Sequence, residues 1–245
     1  MKIKIINPDY GMTDEQLKKR IDVLKKITRN DTVLSMECLK KSIVTIDSML
    51  DVSLAAPEII DIAINAERQG YDAVVLYCFS DPAIAACREV LNIPVIGAGQ
   101  ESVLTACGLG YNFSLIVTGR TRIPEKKNFI NSLGINMNRL ASIRSINLSY
   151  EEMENDKKKT LSSLTELAQE CIIQDKAEAI VLGCLSFLGI GEELSKRIQV
   201  PVIDPAYNAV STAESYVAQG LAHSKKSYPY PVIGTRVSSE NRIKC

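Results

Sequence analysis

The sequence predicts an α/β protein with two pseudo-symmetric domains, each a parallel sheet flanked by helices. Short β-branched runs alternate with longer segments of helical period, which is the pattern of successive strand–helix units. The strand candidates are almost continuously apolar, as expected for strands that are covered on both faces. A nine-residue segment also occurs twice, as DAVVLYCFS at 72–80 and EAIVLGCLS at 178–186, and indicates two related halves.

In the first half, apolar runs predict strands at 3–6, 32–36, 73–77 and 95–96. The spacing of apolar residues predicts helices at 13–28, 55–69, 82–91 and 100–107. Thr13 and Gln16 have the spacing of a capping box at the start of the first helix. Asp81 followed by Pro82 has the pattern of an N-cap with proline at the first helical position.

In the second half, the same criteria predict strands at 113–117, 143–146, 179–183 and 202–203. Helices are predicted at 124–133, 151–174, 190–198 and 207–221. The halves stay similar beyond the repeat, since Pro94-Val95-Ile96 matches Pro201-Val202-Ile203. Ligands of open α/β sheets bind at the carboxyl ends of the strands, so an active site is expected in the cleft between the halves. Residues 224–245 form a Pro/Ser/basic tail to which no role is assigned.

Composition narrows the possible partners and location. The chain has 245 residues, with 29 Lys and Arg against 29 Asp and Glu. No net charge therefore favours nucleic acid or an anionic membrane, and neither partner is expected. No segment resembles a signal peptide or a membrane span, so a cytoplasmic protein acting on a small molecule is expected.

Cysteine and histidine usage limits the chemistry. The seven cysteines are an odd number and lack CxxC spacing, which favours free thiols over disulfides or a zinc site. His223 is the only histidine and lies in a polar segment, so it is expected at the surface. Cys-His and Ser-His catalysis and histidine-rich metal sites are therefore not expected.

Cys78 and Cys184 occupy equivalent positions at the ends of the repeated strands. A single cysteine at such a position is often only a small buried hydrophobe. As a pair, both lie where a strand ends and a helix begins, where amide N–H groups and the helix dipole lower a thiol pKa. The other cysteines do not recur at the repeat spacing and are assigned to packing or the surface: Cys38, Cys87, Cys107, Cys171 and Cys245.

Two thiols at one site suit a racemase or epimerase that works by proton transfer. One cysteine, as a thiolate, removes a proton from a carbon acid, while the other, as a thiol, donates one to the opposite face. Nearby N–H and hydroxyl donors that stabilise the developing negative charge make a cofactor unnecessary. Ser80 and Ser186, each two residues after a cysteine, are candidate donors, with helix N-capping as the alternative role.

These motifs resemble those of the aspartate/glutamate/hydantoin racemase superfamily, and within it most closely the hydantoin racemase group. The resemblance covers nearly the whole chain. Its motifs are Ile6-Asn7-Pro8 with Met12-Thr13, Ile46-Asp47-Ser48 ahead of Ala55-Ala56-Pro57, Cys78-Phe79-Ser80-Asp81-Pro82, Val117-Thr118 before Arg122-Ile123-Pro124, and Leu182-Gly183-Cys184.

The resemblance implies a racemase that needs neither pyridoxal phosphate nor metal, with Cys78 and Cys184 as its acid/base pair. It also implies that Asn7, Ser80 and Thr118, with amides after each cysteine, hold the substrate's carboxylate or ring carbonyls. For Asp81 it suggests electrostatic assistance to Cys78, with N-capping as the alternative. It implies that the last helix returns to the first domain, giving domains of 1–98 plus 207–245 and of 99–206. A homo-oligomer is expected.

The sequence is compatible with two classes of substrate, 5-substituted hydantoins and acidic amino acids. Aromatic or apolar residues stand at four positions around the motifs: Tyr10, Phe79, Leu185 and Phe187. They and Ser186 are expected to shape the substrate pocket, and the apolar side chains favour a 5-substituted hydantoin, which also has the more acidic C–H. Arg120 and Arg122 are candidates to bind a second carboxylate, as aspartate or glutamate racemisation requires, with a solvated surface position as the alternative.

The same fold is compatible with other functions. A decarboxylase or a maleate-type isomerase would use only one of the cysteines. A sensor whose two lobes close around a small anion would use neither thiol, and this is the non-enzyme alternative.

Overall fold

The computed structural model describes residues 1–232, apart from the side chains of Tyr150 and Glu154. Residues 233–245, including much of the tail and Cys245, lie outside this range. The described strands are β1 (Lys2–Tyr10), β2 (Val33–Leu39), β3 (Ala73–Leu76), β4 (Val95–Gly97), β5 (Phe113–Val117), β6 (Leu140–Ser145), β7 (Ala179–Leu182) and β8 (Val202–Ile203). The described α-helices are α1 (Asp14–Leu24), α2 (Met49–Arg68), α3 (Ile84–Val90), α4 (Ala98–Leu109), α5 (Ile123–Ser132), α6 (Tyr150–Asn155), α7 (Lys157–Ile173), α8 (Gly191–Ile198) and α9 (Pro205–Gln219).

The strands of residues 1–232 form two parallel sheets with equivalent strand orders. The first sheet has the order β2-β1-β3-β4 and the second the order β6-β5-β7-β8. Every strand pairing in both sheets is parallel. The duplicated segment therefore corresponds to equivalent strands, β3 and β7, and the predicted pair of α/β domains is confirmed.

Alternate side chains of the strands enter different hydrophobic cores, as the two-residue period of a strand requires. Ile3 and Ile5 of β1 join a central core that also contains Phe113 and Leu115 of β5. Ile6 points to the opposite face, into an outer core beneath α2 and α3. The second sheet has its own outer core beneath α7 and α8. Both sheets are thus covered on both faces, which accounts for their apolar strands.

Two helices link the halves. Helix α4 contacts β7 and β8 of the second sheet, whereas α9 contacts β3 and β4 of the first. The two helices also contact each other and contribute Ala106 and Ala209 to the central core. The small side chains let α4 and α9 approach closely between the sheets.

The largest differences from the predicted elements lie in two helices. Helix α2 begins at Met49, six residues before the predicted start, because the Ser48 side chain caps it by accepting from the Asp51 amide at 3.1 Å. The predicted helix at 151–174 is two helices, α6 and α7. They separate at Asp156, whose side chain accepts from the Lys159 amide at 2.9 Å and caps α7. The capping box of Thr13 and Gln16 is confirmed.

The expected surface position of His223 is wrong. Its ring is half-buried, and Nε2 lies 3.0 Å from the Val95 amide nitrogen. Burial lowers the pKa of His223 to about 4, so the ring is neutral at physiological pH. Within residues 1–232, no helix is long and apolar enough to cross a membrane. The same range holds no group of three or more His, Cys, Asp or Glu that could bind a metal ion.

Candidate active site

A small cavity lies where the carboxyl ends of the central strands of both sheets meet. Its volume is about 110 Å³, well below the ~300–1,000 Å³ typical of pockets for drug-sized ligands. The predicted site residues that line it come from the ends of β1, β3, β5 and β7: Asn7, Cys78, Phe79, Ser80, Thr118, Cys184, Leu185 and Ser186. The fold therefore brings both cysteine motifs to one cavity.

The two thiols have different surroundings. Cys184 Sγ lies 3.0 Å from Ser186 Oγ, at hydrogen-bond distance. Burial raises the pKa of the Cys78 thiol to about 12, although the Lys126 ammonium and the Ser80 amide act to lower it. This raised pKa keeps Cys78 protonated at neutral pH.

Ser80 is bound by cations rather than by a helix end. Its Oγ accepts from Lys126 Nζ at 2.7 Å and from Arg122 Nη2 at 3.2 Å. The Glu125 carboxylate lies 3.2 Å from Lys126 Nζ and 3.3 Å from Arg122 Nη2. Lys126 Nζ also lies 5.3 Å from the centre of the Phe79 ring, a cation–π contact. These cations provide positive charge next to the Cys78 motif, which favours negative charge on a bound molecule.

A second polar group lies at the end of β1. With the Asn7 amide oriented to satisfy both of its ends, the oxygen accepts from Arg20 Nη1 at 2.9 Å and the nitrogen donates to Asp9 Oδ2 at 3.3 Å. Burial raises the pKa of Asp9, although the Ile46 amide and Arg20 act to lower it. Arg20 also lies over the Tyr77 ring, with its Cζ 5.3 Å from the ring centre. Asn7 is thus held rigidly between a cation and a carboxylate.

A hydrogen bond joins the two cysteine motifs directly. The Tyr77 hydroxyl, on the residue before Cys78, donates to the carbonyl of Leu185, on the residue after Cys184, at 3.1 Å. The residue equivalent to Tyr77 in the other half is Gly183. A Cβ at Gly183 would lie 2.9 Å from the Ile116 carbonyl oxygen and from Val117 Cγ1, so a side chain is excluded there. The two halves therefore differ at this position. The first half has Tyr77, which bonds to the other cysteine motif, and the second has Gly183, which packs against the end of β5.

Asp81 caps a helix, but not the predicted one. Helix α3 begins at Ile84, and the Asp81 carboxylate instead accepts from the amides of Gly99 and Gln100 at the start of α4, at 2.9 and 2.7 Å. Burial raises the pKa of Asp81 to about 7. The Asp81 amide donates to the Cys78 carbonyl at 3.1 Å, so this capping contact also fixes the turn that carries Cys78.

In the second half, the equivalent helix α9 is capped by the residue that directly precedes it. Asp204 directly precedes α9 and accepts from the amides of Ala206 and Tyr207 at 3.0 and 3.3 Å. The equivalent position before α4 is Gly97, where a Cβ would lie 2.5 Å from Asp81 Cγ. Asp81 therefore occupies the space that a side chain at position 97 would need.

Three of the residues considered at sequence level lie away from the cavity. Arg120 is exposed and lines a separate groove beside Thr118, whereas its neighbour Arg122 is buried and lines the cavity. Tyr10 is 43% exposed on another face, and Phe187 is fully buried in the outer core of the second sheet. Of the apolar side chains that favoured a hydrophobic substrate, Phe79 and Leu185 line the cavity and Phe187 does not.

The cavity also has lining residues that the sequence analysis missed, chiefly Asp9, Arg20, Asp47, Tyr77 and Lys126. Arg20 and Lys126 lie on amphipathic helices, where a charged residue normally indicates a solvated face. Only the packing of α1 and α5 across the strand ends directs them inward. Asp9 directly follows the Ile6-Asn7-Pro8 motif, and Asp47 lies within Ile46-Asp47-Ser48. Their proximity to these motifs was the sequence signal that could have identified them as lining residues.

Comparison with known proteins identifies the family. A family model described as Asp/Glu/Hydantoin racemase matches residues 14–213. The chain belongs to the Asp/Glu/hydantoin racemase family. It is 34% identical to the hydantoin racemase of Pseudomonas sp. strain NS671 over 234 residues, covering 94% of this chain and 92% of that protein. It is 32% identical to the hydantoin racemase of Paenarthrobacter aurescens over 235 residues, covering 94% and 98%.

Solved structures of the racemase family show the same fold. The allantoin racemase from Pseudomonas fluorescens superposes with a TM-score of 0.88 at 26% identity, covering 97% of this chain and all of that one. The allantoin racemase from Klebsiella pneumoniae also gives 0.88, at 25% identity, covering 98% and 97%. Arylmalonate decarboxylase, with a TM-score of 0.65 at 17% identity over 90% of this chain and 94% of that one, shares the fold alone. This protein is therefore a racemase of the hydantoin and allantoin racemase type.

Proposed function

We propose that this racemase inverts a hydantoin-type carbon acid by proton transfer between Cys78 and Cys184. The supporting observation is that both thiols of the duplicated motif line one small cavity. A hydantoin carbon between a ring carbonyl and a ring nitrogen has an acidic C–H, within the reach of thiolate bases. The curated relatives named above are hydantoin racemases, and allantoin is itself a hydantoin with a ureido group at C5.

The reaction begins with one thiol protonated and the other ionised. Since the pKa of Cys78 is about 12, Cys78 carries the proton at neutral pH. Cys184, as the thiolate, takes the C5 proton of one enantiomer, and Cys78 then delivers its proton to the opposite face. Ser186, 3.0 Å from Cys184, can donate a hydrogen bond to that thiolate. The product leaves the roles of the two cysteines exchanged, ready for the other enantiomer.

Negative charge develops on the ring oxygen when the C–H bond breaks. Lys126 and Arg122, which already point at Ser80 Oγ, supply positive charge to this enolate. Thr118 and the Asn7 amide line the same cavity and provide further polar groups for the ring. No cofactor is required by this mechanism, because fixed charges and hydrogen-bond donors stabilise the intermediate.

Racemisation of aspartate or glutamate is the second candidate. It is favoured by the cations that line the cavity in the described part of the chain: Arg20, Arg122 and Lys126. A dicarboxylic amino acid needs such partners for its carboxylates. Incubating enantiopure hydantoins and amino acids with the enzyme and following optical rotation separates the two candidates.

The thiol assignment is tested by hydrogen exchange in D₂O. We expect deuterium at the stereogenic carbon of the substrate without added metal or pyridoxal phosphate. Cys78→Ala and Cys184→Ala should each abolish racemisation, while exchange without inversion of a single enantiomer is compatible with one remaining base. Cys107→Ala is the matched control, since Cys107 is a free thiol on α4 that does not line the cavity. Racemisation at the wild-type rate in both cysteine variants would overturn the two-base mechanism.

A further inference from the structure

A larger groove opens beside the catalytic cavity. Its volume is about 620 Å³, and Arg20, Leu185 and Ser186 line both spaces. Ser186 is the residue that contacts the Cys184 thiol, so the groove begins next to one of the proposed bases. We call this space the side groove; its outer walls include Lys19 of α1 and Glu151 and Lys157 at the start of α6 and α7.

The small volume of the catalytic cavity favours such an exit. At about 110 Å³, it lies well below the ~300–1,000 Å³ of pockets that enclose drug-sized ligands, so an extended substituent is better accommodated outside it. Proton transfer fixes the C5 carbon beside the two thiols, so a C5 substituent must leave the cavity close to them. Leu185 and Ser186 line both spaces, so the cavity and the side groove adjoin at this point.

The charges of the side groove indicate what it can bind. Three cationic residues and one carboxylate line it within the described residues, namely Lys19, Arg20, Lys157 and Glu151. Leu185 and Leu188 supply an apolar wall next to the cavity. The groove beside Thr118 differs, because its charged lining is one cation, Arg120, and one carboxylate, Glu152. Of these two grooves, the side groove thus combines an apolar inner wall with a lining that has more cations than carboxylates, although Lys19 also pairs with Glu15 at 2.9 Å.

We propose that the side groove binds the C5 substituent and selects hydantoins whose substituent is a short alkyl chain ending in a carboxylate. The methylene stem lies against Leu185 and Leu188, and the carboxylate pairs with Arg20 and Lys157. This inference rests on the proposed hydantoin racemisation and adds its substrate class. Two disfavoured outcomes, a neutral ureido end and a plain alkyl chain, are distinguished by the experiment.

The experiment measures C5 deuterium exchange and racemisation with enantiopure 5-(2-carboxyethyl)hydantoin, allantoin, 5-isobutylhydantoin and 5-methylhydantoin. We expect kcat/KM for the carboxyethyl compound to exceed that for the isobutyl compound by about tenfold or more. Lys157→Met should raise KM for the carboxyethyl compound by about five- to tenfold, without a change of kcat. The methyl compound does not reach the groove, so its kinetics in Lys157→Met should match the wild type.

Lys158→Met is the matched control, because Lys158 is an exposed neighbour that does not line the groove. Equal effects of Lys157→Met and Lys158→Met, or a preference for the isobutyl compound or allantoin over the carboxyethyl compound, would overturn the side-groove assignment alone. Absence of exchange with every hydantoin, including the methyl compound, would instead overturn the proposed function and this inference with it.

Discussion

Gly97→Ala tests whether Asp81 holds the Cys78 turn in place by capping α4. A Cβ at position 97 would lie 2.5 Å from Asp81 Cγ and 2.5 Å from Ile84 Cδ1, too close for any non-bonded contact. The Asp81 carboxylate is the part of this group that can move outward. Its displacement would break the hydrogen bonds from the Gly99 and Gln100 amides, at 2.9 and 2.7 Å.

The size of the effect follows from the groups involved. Loss of a helix N-cap costs about 0.5–2 kcal/mol, and crowding of a packed site costs about 1–3 kcal/mol. Alanine has less conformational freedom than glycine in the unfolded chain, and this stabilises the folded protein by about 0.4–1 kcal/mol. We therefore expect the free energy of unfolding to fall by roughly 0.5–4.5 kcal/mol. Racemisation should also slow, because the Asp81 amide bonds the Cys78 carbonyl.

Urea unfolding and racemase assays measure both effects. The matched control is Gly108→Ala, in the same helix, where a Cβ would meet nothing within 4 Å. This control should leave racemisation unchanged and alter the free energy of unfolding by between zero and a gain of about 1 kcal/mol.

The double variant Gly97→Asp with Asp81→Gly should recover part of the lost stability, because glycine suits the φ of +45° at position 81. It copies the second half, where Asp204 caps α9 from the same backbone conformation: φ −83° and ψ 113°, against −90° and 122° at Gly97. If Gly97→Ala unfolds at the same urea concentration as Gly108→Ala, the inferred capping role of Asp81 is refuted.

Two further predictions concern the active site. Lys126→Met removes the ammonium that lowers the pKa of Cys78, so the thiolate of that cysteine becomes rarer at any given pH. For the enantiomer whose proton Cys78 removes, the rise of kcat/KM with pH should therefore move to higher pH, and an unshifted pH–rate profile for that enantiomer would show that Lys126 does not act on the thiol. Tyr77→Phe removes the hydrogen bond to the Leu185 carbonyl at 3.1 Å and should lower the free energy of unfolding by about 1 kcal/mol. Tyr111→Phe, at an 85% exposed position, is its control; equal urea midpoints for the two variants would mean that the Tyr77 bond contributes nothing.

The strands and the positions of the two cysteine motifs were predictable because they depend on local pattern. Continuous apolar runs identified each strand to within a few residues, and the repeat identified β3 and β7 as equivalents. The position of Cys78 and Cys184 after these strands placed both motifs at the same end of related sheets. Parallel strands present their carboxyl ends on one side, so two such sheets share one cavity.

Helix boundaries and side-chain partners were less predictable. The cap at Ser48 extends α2, and the cap at Asp156 divides a helix that looks continuous by its periodicity. Asp81 precedes a proline, as an N-cap often does, yet it caps a helix that begins 17 residues later in the chain. Short polar side chains bond whichever amides packing brings near, and sequence spacing identifies only the nearest ones.

The sequence by itself determined the duplicated α/β architecture, the pair of cysteines and the racemase family, since each is carried by contiguous motifs. Tertiary structure decided which charges surround those cysteines. Arg122 enters the cavity and Arg120 does not, and Lys126 reaches Ser80 from 46 positions away. Burial raises the pKa of Cys78, and the Lys126 ammonium acts to lower it. Both effects depend on distance in space and on burial, which neighbouring positions in the chain do not specify.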